Sequence, residues 1–169
     1  MKRMCLFLLA MLGSHAVFAA DNAVTQGEST PEIVENQLDK STAKKLNKEQ
    51  RNAVSIVDAV SQAYNEQDID LFISYFAEDV SFYMYPNELM FSGKEQLIAR
   101  YGVMFKNLKC VKSTPIKRIV HGNFVIDQEL SESCSSDANV IDKRGEVVAS
   151  YEVVNGLVKR VLFFKAPSK

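Results

Sequence analysis

Apolar residues recur with a helical period in three stretches between positions 48 and 108. From position 48, their three- and four-residue spacing predicts an amphipathic helix with an inward stripe of Ala53, Ile56, Val57, Val60, Ala63 and Tyr64. Asp68 is a suitable N-cap for a short second helix that would bury Ile69, Leu71, Phe72, Tyr75 and Phe76. A third helix is predicted over 94–108, with inward residues Leu97, Ile98, Tyr101, Met104 and Phe105.

The rest of the pattern predicts β-strands. Residues 80–85 alternate as a strand and stop at Pro86. Strands 116–120 and 124–130 flank a hairpin turn around Gly122, and strands 146–154 and 157–164 flank Asn155-Gly156, a strong hairpin signal. The polar segment 131–145 is predicted to be a loop with a short strand around Val140-Ile141. Helices followed by antiparallel strands indicate an α+β domain, with helices packed on one face of a curved sheet.

The N-terminal residues 1–19 have the pattern of a signal peptide. Lys2 and Arg3 precede a short apolar stretch over 6–12, and Val17 and Ala19 form a small-x-small cleavage site. The roughly ten apolar residues are too few for a membrane span, which needs about twenty. We therefore predict export to the periplasm or medium, with no membrane insertion after cleavage. Residues 20–47 would form a polar flexible leader, serving as a tether, a partner segment or a plain spacer, and 48–166 the folded domain.

Charge and composition exclude several kinds of partner. The chain has 20 Lys and Arg against 21 Asp and Glu, so loss of Lys2 and Arg3 leaves a mildly acidic product. Without a basic face, no nucleic-acid partner is expected. Two His, no Cys-x-x-Cys and no Gly-rich phosphate loop give no reason to expect a metal or another cofactor.

Four short motifs carry a resemblance to a known superfamily. They are YNEQDID at 64–70, FAEDV at 76–80, FSGK at 91–94 and NGLV at 155–158. Their order and spacing resemble the nuclear transport factor 2-like superfamily, most closely its SnoaL-like polyketide cyclase and ketosteroid isomerase branches. The resemblance covers about 50–164 and implies a cone-shaped curved antiparallel sheet that wraps a long helix and leaves an apolar cavity. Because isomerases, cyclases, dehydratases, epoxide hydrolases and non-enzymatic binders share this fold, it does not fix the function.

The resemblance also indicates which positions should carry isomerase chemistry. A ketosteroid isomerase needs a carboxylate base, and a Tyr with a protonated Asp to stabilise an oxyanion. In this sequence the base position falls at Met84 and the Tyr position at about Val60. The Asp position falls at Ala149 or Ser150. None of these side chains can supply the required acid or base, so that mechanism is not expected.

Three other polar residues are candidates for chemistry. Asp127 and Glu129 share a face of one predicted strand and would suit an acid/base pair, although we favour a solvated outer face for them, as for Glu132. Arg160 interrupts an apolar face. It would either aim its guanidinium into the cone to bind a ligand carboxylate or pair with a neighbouring acid.

The leading functional prediction is binding of a small apolar or amphipathic molecule in the cone, without catalysis. The alternatives are an enzyme with a non-standard set such as Arg160 with Asp127 or Glu129, and an interaction module that forms a homodimer through its sheet face. An exposed apolar stripe on the sheet would favour the module, whereas a deep empty pocket would favour ligand binding or an enzyme. The candidate cavity residues are Val60, Tyr64, Phe82, Met84, Met104, Tyr151, Val153 and Arg160.

Two cysteines remain after removal of the signal peptide. If the hairpin is centred on Gly122, so that Val120 faces Phe124, then Cys110 lies directly opposite Cys134. Non-hydrogen-bonded antiparallel partners have Cα atoms about 4.5 Å apart, within reach of a disulfide. Because an exported protein meets an oxidising compartment, we predict a Cys110–Cys134 disulfide. A bulge near Pro115 that shifted the register by one would instead leave two unrelated thiols.

Overall fold

The computed structural model describes residues 46–164. The helices are α1 (Lys48–Asn65), α2 (Ile69–Ser74) and α3 (Lys94–Asn107). The strands are β1 (Phe76–Met84), β2 (Glu88–Ser92), β3 (Cys110–His121), β4 (Phe124–Cys134), β5 (Lys143–Val154) and β6 (Leu157–Phe164). The strands form one sheet of order β2-β1-β6-β5-β4-β3, in which only the β1–β6 pair is parallel. The predicted α+β class, with helices against a curved sheet, is confirmed.

The long helix α1 begins at a complete capping box. The Asn47 side chain accepts a hydrogen bond from the Gln50 backbone N–H, and the Gln50 side chain accepts one from the Asn47 N–H, each at 2.9 Å. The buried residues follow the predicted stripe, which lies against the sheet: Ala53, Val57, Val60 and Ala63. The predicted signal peptide and most of the polar leader lie outside the described residues.

The two shorter helices match their predicted positions but not all of their predicted buried faces. Asp68 caps α2, accepting a hydrogen bond from the Leu71 N–H at 2.9 Å, and Phe72 is buried. The prediction that Leu71 and Ile98 are buried is wrong, since they are 39% and 42% exposed. Each helix meets the core along a narrower stripe than the apolar sequence pattern suggests. No helix within 46–164 is long and apolar enough to cross a membrane.

Two parts of the sheet differ from the sequence prediction. Strand β2, which pairs with β1, was not predicted because Phe91 is its only buried residue, so it lacks a regular alternation. The polar segment 131–145 is strand at both ends, since β4 continues to Cys134 and β5 starts at Lys143. The short strand predicted around Val140 does not form; that residue lies in the connection and is 56% exposed. Polar sequence does not prevent strand pairing where neighbouring strands satisfy the backbone.

The β3–β4 hairpin combines a register shift with a bulge. At the turn, Val120 pairs with Val125 rather than with the predicted Phe124. A bulge between Pro115 and Lys117 then shifts the register by one residue, so that Cys110 does pair with Cys134. The two cysteines form the predicted disulfide, with Cα atoms 4.8 Å apart. The expected pairing is therefore correct because the turn register and the bulge offset each other.

Candidate functional site

The inner face of the sheet, which faces the helices, carries two acidic side chains. Asp127 is fully buried and Glu129 is 6% exposed. The favoured prediction of a solvated outer face is therefore wrong for both. It is wrong for Glu132 as well, which is 7% exposed and accepts a hydrogen bond from Arg144 Nε at 2.8 Å. A buried carboxyl group is retained only with partners, so the partners of Asp127 and Glu129 define the site.

Asp127 is neutralised by an arginine from the neighbouring strand. Arg118 of β3 lies directly opposite and donates from Nε and Nη2 to the two Asp127 carboxylate oxygens, each at 2.7 Å. Its third nitrogen, Nη1, donates to Asp58 of α1 at 2.6 Å. Asp58 is 57% exposed at its side chain, whereas Arg118 is 6% exposed. This bidentate pair fixes the guanidinium and ties α1 to the hairpin.

Glu129 has hydroxyl partners instead of a cation. Ser113 Oγ donates to Glu129 Oε2 at 2.5 Å, and Tyr151 Oη donates to Glu129 Oε1 at 2.8 Å. Burial raises the pKa of the Glu129 carboxyl, while the two hydrogen bonds lower it and the charge of Asp127 raises it further. A carboxyl group of this kind can hold a proton at a pH where an exposed glutamate has lost it.

An aromatic cluster formed by Tyr64, Phe72, Tyr101 and Phe105 lies within the cone near Glu129. Its ring centroids are 4.8–6.3 Å apart. Burial, with a contribution from the charge of Glu129, raises the pKa of Tyr64 to about 12. Burial also raises the pKa of Tyr101, with further contributions from Tyr64 and then from the charge of Glu129. The rings occupy the interior of the cone, and the Glu129 carboxyl lies close enough to influence two of them electrostatically.

Most of the predicted cavity residues are buried or half-buried on the helix-facing side of the sheet. Val60, Phe82, Tyr151 and Val153 are buried, and Tyr64, Met84 and Met104 are half-buried. Phe82 stacks on Phe91 with centroids 4.4 Å apart. All of these residues except Met84 belong to the hydrophobic core or pack against it.

Arg160 is the exception, because it lies on the opposite, outer face of the sheet. Its side chain is 57% exposed, and its Nη1 atom is 3.7 Å from Glu152 Oε2. The prediction that it enters the cone is wrong. In β6 the side chains of Val158 and Val161 point inward. They are three residues apart, rather than two, because β6 has a bulge opposite Glu152 and Val153, and Arg160 therefore points outward. Of the two predicted roles, pairing with a neighbouring acid is the one that occurs.

The positions of isomerase chemistry are occupied by side chains without an acid or base. Val60 of α1 and Ala149 of β5 are buried in the core, and Met84 of β1 is half-buried. Ser150 pairs with Ile126 and Leu162, on the outer face. The carboxylates that isomerase chemistry needs are therefore absent from these positions. Among the described residues, Glu129 is instead the carboxyl group of the interior that has no ion-pair partner. Within residues 46–164 no group of His, Cys, Asp and Glu is arranged to hold a metal ion.

Sequence reasoning missed Ser113 and Arg118 as partners of the inner carboxyl groups. With the hairpin centred on Gly122, Asp127 would face Lys117, and Arg118 would face Ile126. The observed one-residue shift at the turn brings Arg118 opposite Asp127. In the predicted strand, Arg118 lies between Ile116 and Val120 on one face. Testing that face in both possible hairpin registers would have placed Arg118 opposite Asp127 in one of them.

A shallow open groove lies away from this interior, along the side of α1. It is lined by Leu46, Arg51, Val54, Ser55, Asp58, Ala59 and Gln62. Asp58 links it to Arg118. The groove contains none of the predicted cavity residues.

The order of elements, the curved sheet over α1 and the polar group within the cone define a protein of the nuclear transport factor 2-like class. The sequence pattern of the SnoaL-like domain family matches residues 57–161, so the chain belongs to that family. No curated protein matches the chain.

Several solved structures share the fold at low sequence identity. An uncharacterised cystatin-fold protein from Novosphingobium aromaticivorans is 23% identical with a TM-score of 0.60, covering 67% of this chain and 97% of its own. A putative polyketide cyclase from Xanthomonas campestris pv. campestris is 17% identical with a TM-score of 0.58, covering 70% and 93%. A ketosteroid isomerase-like protein from Catenulispora acidiphila, in complex with trimethylamine, is 15% identical with a TM-score of 0.55, covering 66% and 85%.

Proposed function

We propose that this protein binds a small amphipathic molecule inside its cone and does not transform it. The observation that carries the proposal is the Glu129 carboxyl, held by Ser113 and Tyr151 in an interior otherwise built of apolar and aromatic side chains. A core needed only for stability gains little from a buried carboxyl group, since an apolar side chain of similar volume avoids its desolvation. A ligand that contacts this carboxyl supplies a reason for it.

The absence of the expected acid and base favours binding over isomerase chemistry. Met84, Val60 and Ala149 cannot transfer a proton. The alternative enzymatic set loses Arg160, which is on the outer face, and Asp127, which is held by Arg118. An enzymatic alternative therefore rests on Glu129 alone.

Ligand entry requires movement of aromatic rings. Phe72 is the only buried residue of the six-residue helix α2, whereas α1 buries four residues. Displacing α2 with Phe72 therefore breaks fewer packing contacts than displacing α1. The Catenulispora protein, which shares this fold, is in complex with trimethylamine, and this supports binding of a small organic molecule by the present chain.

Native mass spectrometry of protein purified from its own host tests this proposal. We expect wild-type protein to carry a small molecule that is released on denaturation, and Glu129→Gln protein to carry less of it. Glu132→Gln is the matched control, because Glu132 is also buried but is paired with Arg144. Wild-type protein without a retained molecule, and without thermal stabilisation by any member of an amphipathic compound panel, would overturn the proposal.

Export to an oxidising compartment is the second part of the proposal. The Cys110–Cys134 disulfide supports it, because such bonds persist mainly outside the cytosol. Mass spectrometry of a periplasmic extract should find a mature chain that begins at Ala20. Accumulation of full-length protein with two free thiols in the cytosol would contradict it.

A homodimer through the outer sheet face is a second candidate function, supported by a row of apolar side chains. Four strands carry it in register, with Ile119 opposite Ile126 and Leu162 opposite Tyr83, and Ser150 of β5 interrupts it between Ile126 and Leu162. Ile119 is 64% exposed, and exposed apolar rows of this kind mark interfaces.

Sedimentation equilibrium at micromolar concentration tests the dimer. We expect a wild-type dimer and an Ile119→Lys monomer. Val103→Lys is the matched control, because Val103 of α3 is 58% exposed and lies away from the sheet face; this variant should remain dimeric. A wild-type monomer at high micromolar concentration would exclude the dimer.

A further inference from the structure

The inner face of β4 leaves one carboxyl group without a cation. Asp127 is matched by the Arg118 guanidinium. Glu129 receives hydrogen bonds only from the neutral hydroxyl groups of Ser113 and Tyr151, and no lysine or arginine within residues 46–164 forms an ion pair with it. A single positive charge would therefore balance the ionised Glu129 carboxylate.

The surroundings of Glu129 also suit a cation. The Tyr151 ring lies at the carboxyl, since its hydroxyl group is 2.8 Å from Glu129 Oε1. Tyr64 and Tyr101 have ring centroids 6.3 Å apart in the aromatic cluster, and the charge of Glu129 contributes to the raised pKa of both. The face of an aromatic ring attracts a cation, and this attraction is largest where water is excluded. An organic cation would gain from both the carboxylate and the rings, whereas an anion would be repelled by Glu129.

We infer that the cone binds a small alkylammonium cation, with its charged nitrogen at Glu129 and its alkyl groups against Tyr64 and Tyr101. This inference rests on the proposed function and names its ligand class. Phe72 and Tyr101 must move to admit the cation, because the rings fill the interior in the described structure. Where Glu129 is protonated beforehand, binding of one cation releases one proton to solvent, so the charge within the cone stays balanced.

The same exchange makes affinity depend on pH. The groups that face Glu129 are Ser113 of β3, Tyr151 of β5, Tyr64 of α1, Tyr101 of α3, and the ion pair of Asp127 with Arg118. The tyrosines stay neutral near neutral pH, because their pKa values are raised. Affinity for a permanently charged ammonium should therefore rise with pH as Glu129 loses its proton.

Choline and its neutral isostere 3,3-dimethyl-1-butanol separate charge from shape. With full-length disulfide-bonded protein at constant ionic strength, we expect choline to bind more tightly at pH 8 than at pH 5, because the Glu129 carboxyl loses its proton as the pH rises. At pH 8 we expect it to bind at least about tenfold tighter than the isostere. Calorimetry in two buffers of different ionisation enthalpy should detect the released proton in wild-type protein, without any substitution.

Matched variants assign the preference to Glu129. Glu129→Gln should lose most of the preference for choline over the isostere and keep only the part that the aromatic rings supply, and Glu132→Gln should behave as wild type. Tyr101→Leu, which removes one ring and keeps Glu129, should weaken choline binding more than isostere binding. If wild type binds both compounds equally at both pH values, the cationic ligand is wrong and the proposed cone binding survives. If wild type binds neither, while other amphipathic molecules are retained, the inference also fails.

Discussion

Two consecutive inward positions of β4 accommodate a buried carboxyl group in different ways. At the first, Asp127 is paired on both oxygens by Arg118. At the second, Glu129 is held by two neutral hydroxyl groups. The first arrangement ties the hairpin to α1 through Asp58, while the second leaves the negative charge of Glu129 available to a ligand. The difference separates a structural ion pair from a candidate binding group, although the two residues share one strand and one face.

The largest loss of stability is expected when the arginine that pairs with Asp127 is replaced. Arg118→Met keeps much of the side-chain volume but leaves the Asp127 carboxylate buried without a partner. We expect the free energy of unfolding to fall by about 3–5 kcal/mol, as for other broken buried ion pairs. Urea denaturation at neutral pH measures the loss.

The exposed partner of the same guanidinium is the control. Asp58→Asn removes a carboxylate that is 57% exposed, so its loss should be below about 1 kcal/mol. A double variant, Arg118→Met with Asp127→Leu, should recover most of the stability, because no buried charge remains. Equal losses for Arg118→Met and Asp58→Asn would show that the buried pair does not stabilise the fold.

The disulfide should stabilise the surroundings of Glu129 more than those of Asp127. It lies beyond the bulge, on the same side as Ser113, and spans a sequence separation of 24 residues. Replacing both cysteines by alanine should lower the free energy of unfolding by about 3 kcal/mol in the chain-entropy estimate. Hydrogen exchange should show greater loss of protection around Ser113 than around Ile119. Uniform loss along the hairpin would argue against this local role.

The contribution of Glu129 to the free energy of unfolding should fall as the pH rises, which is opposite to the behaviour of a carboxyl group whose pKa is lowered by an ion pair. Burial raises the pKa of folded Glu129 above the ordinary value of 4.5, so the folded state holds the proton more tightly than the unfolded state. Its favourable contribution is therefore complete below pH 4.5 and is lost as the pH rises through the folded pKa. Wild-type protein should lose stability relative to Glu129→Gln over that rise.

Denaturant titrations of both proteins from pH 4 to pH 8 measure this difference. The amide keeps an acceptor for Ser113 or Tyr151, so the two proteins should differ by no more than about 1 kcal/mol at pH 4. A constant difference across the range would mean that Glu129 titrates alike in the folded and unfolded states.

The smallest change in stability is expected from replacing Arg160 on the outer face of the sheet. Arg160→Ala removes an exposed guanidinium that lies 3.7 Å from its acidic neighbour. The free energy of unfolding should change by less than about 0.5 kcal/mol, and binding in the cone should be unchanged. Loss of ligand binding in this variant would return Arg160 to the candidate site.

Much of the fold follows from local sequence pattern. The stripe of α1, the Asp68 cap and the Asn155-Gly156 turn depend on neighbouring residues, and all three occur. Asn155 and Gly156 both have positive φ, at 53° and 78°, as a tight hairpin turn requires. Strand β2 depends on pairing with β1 and carries too little local pattern to be recognised.

The candidate site was less predictable than the fold. Alternation along β4 put Asp127 and Glu129 on one face, but alternation alone does not say which face is buried. Charge favoured solvent, since acidic residues are rarely buried without a partner. The partners come from distant positions in the chain, Arg118 and Ser113 of β3 and Tyr151 of β5, and they reverse that preference.

The sequence by itself determined the helices, the positions of the two hairpin turns and the family. These depend on short-range periodicity, turn chemistry and spacing. The opposition of Cys110 and Cys134 was predicted from a turn register that is off by one residue, and it holds because the bulge between Pro115 and Lys117 offsets that shift. Only the tertiary structure decided that Arg118 faces Asp127, that Glu129 is buried among hydroxyl groups and that Arg160 faces outward. The physical reason is register: a shift of one residue at a turn or bulge changes which side chains meet, at little cost in local conformation. Burial of a charge is then settled by partners that other strands and helices contribute.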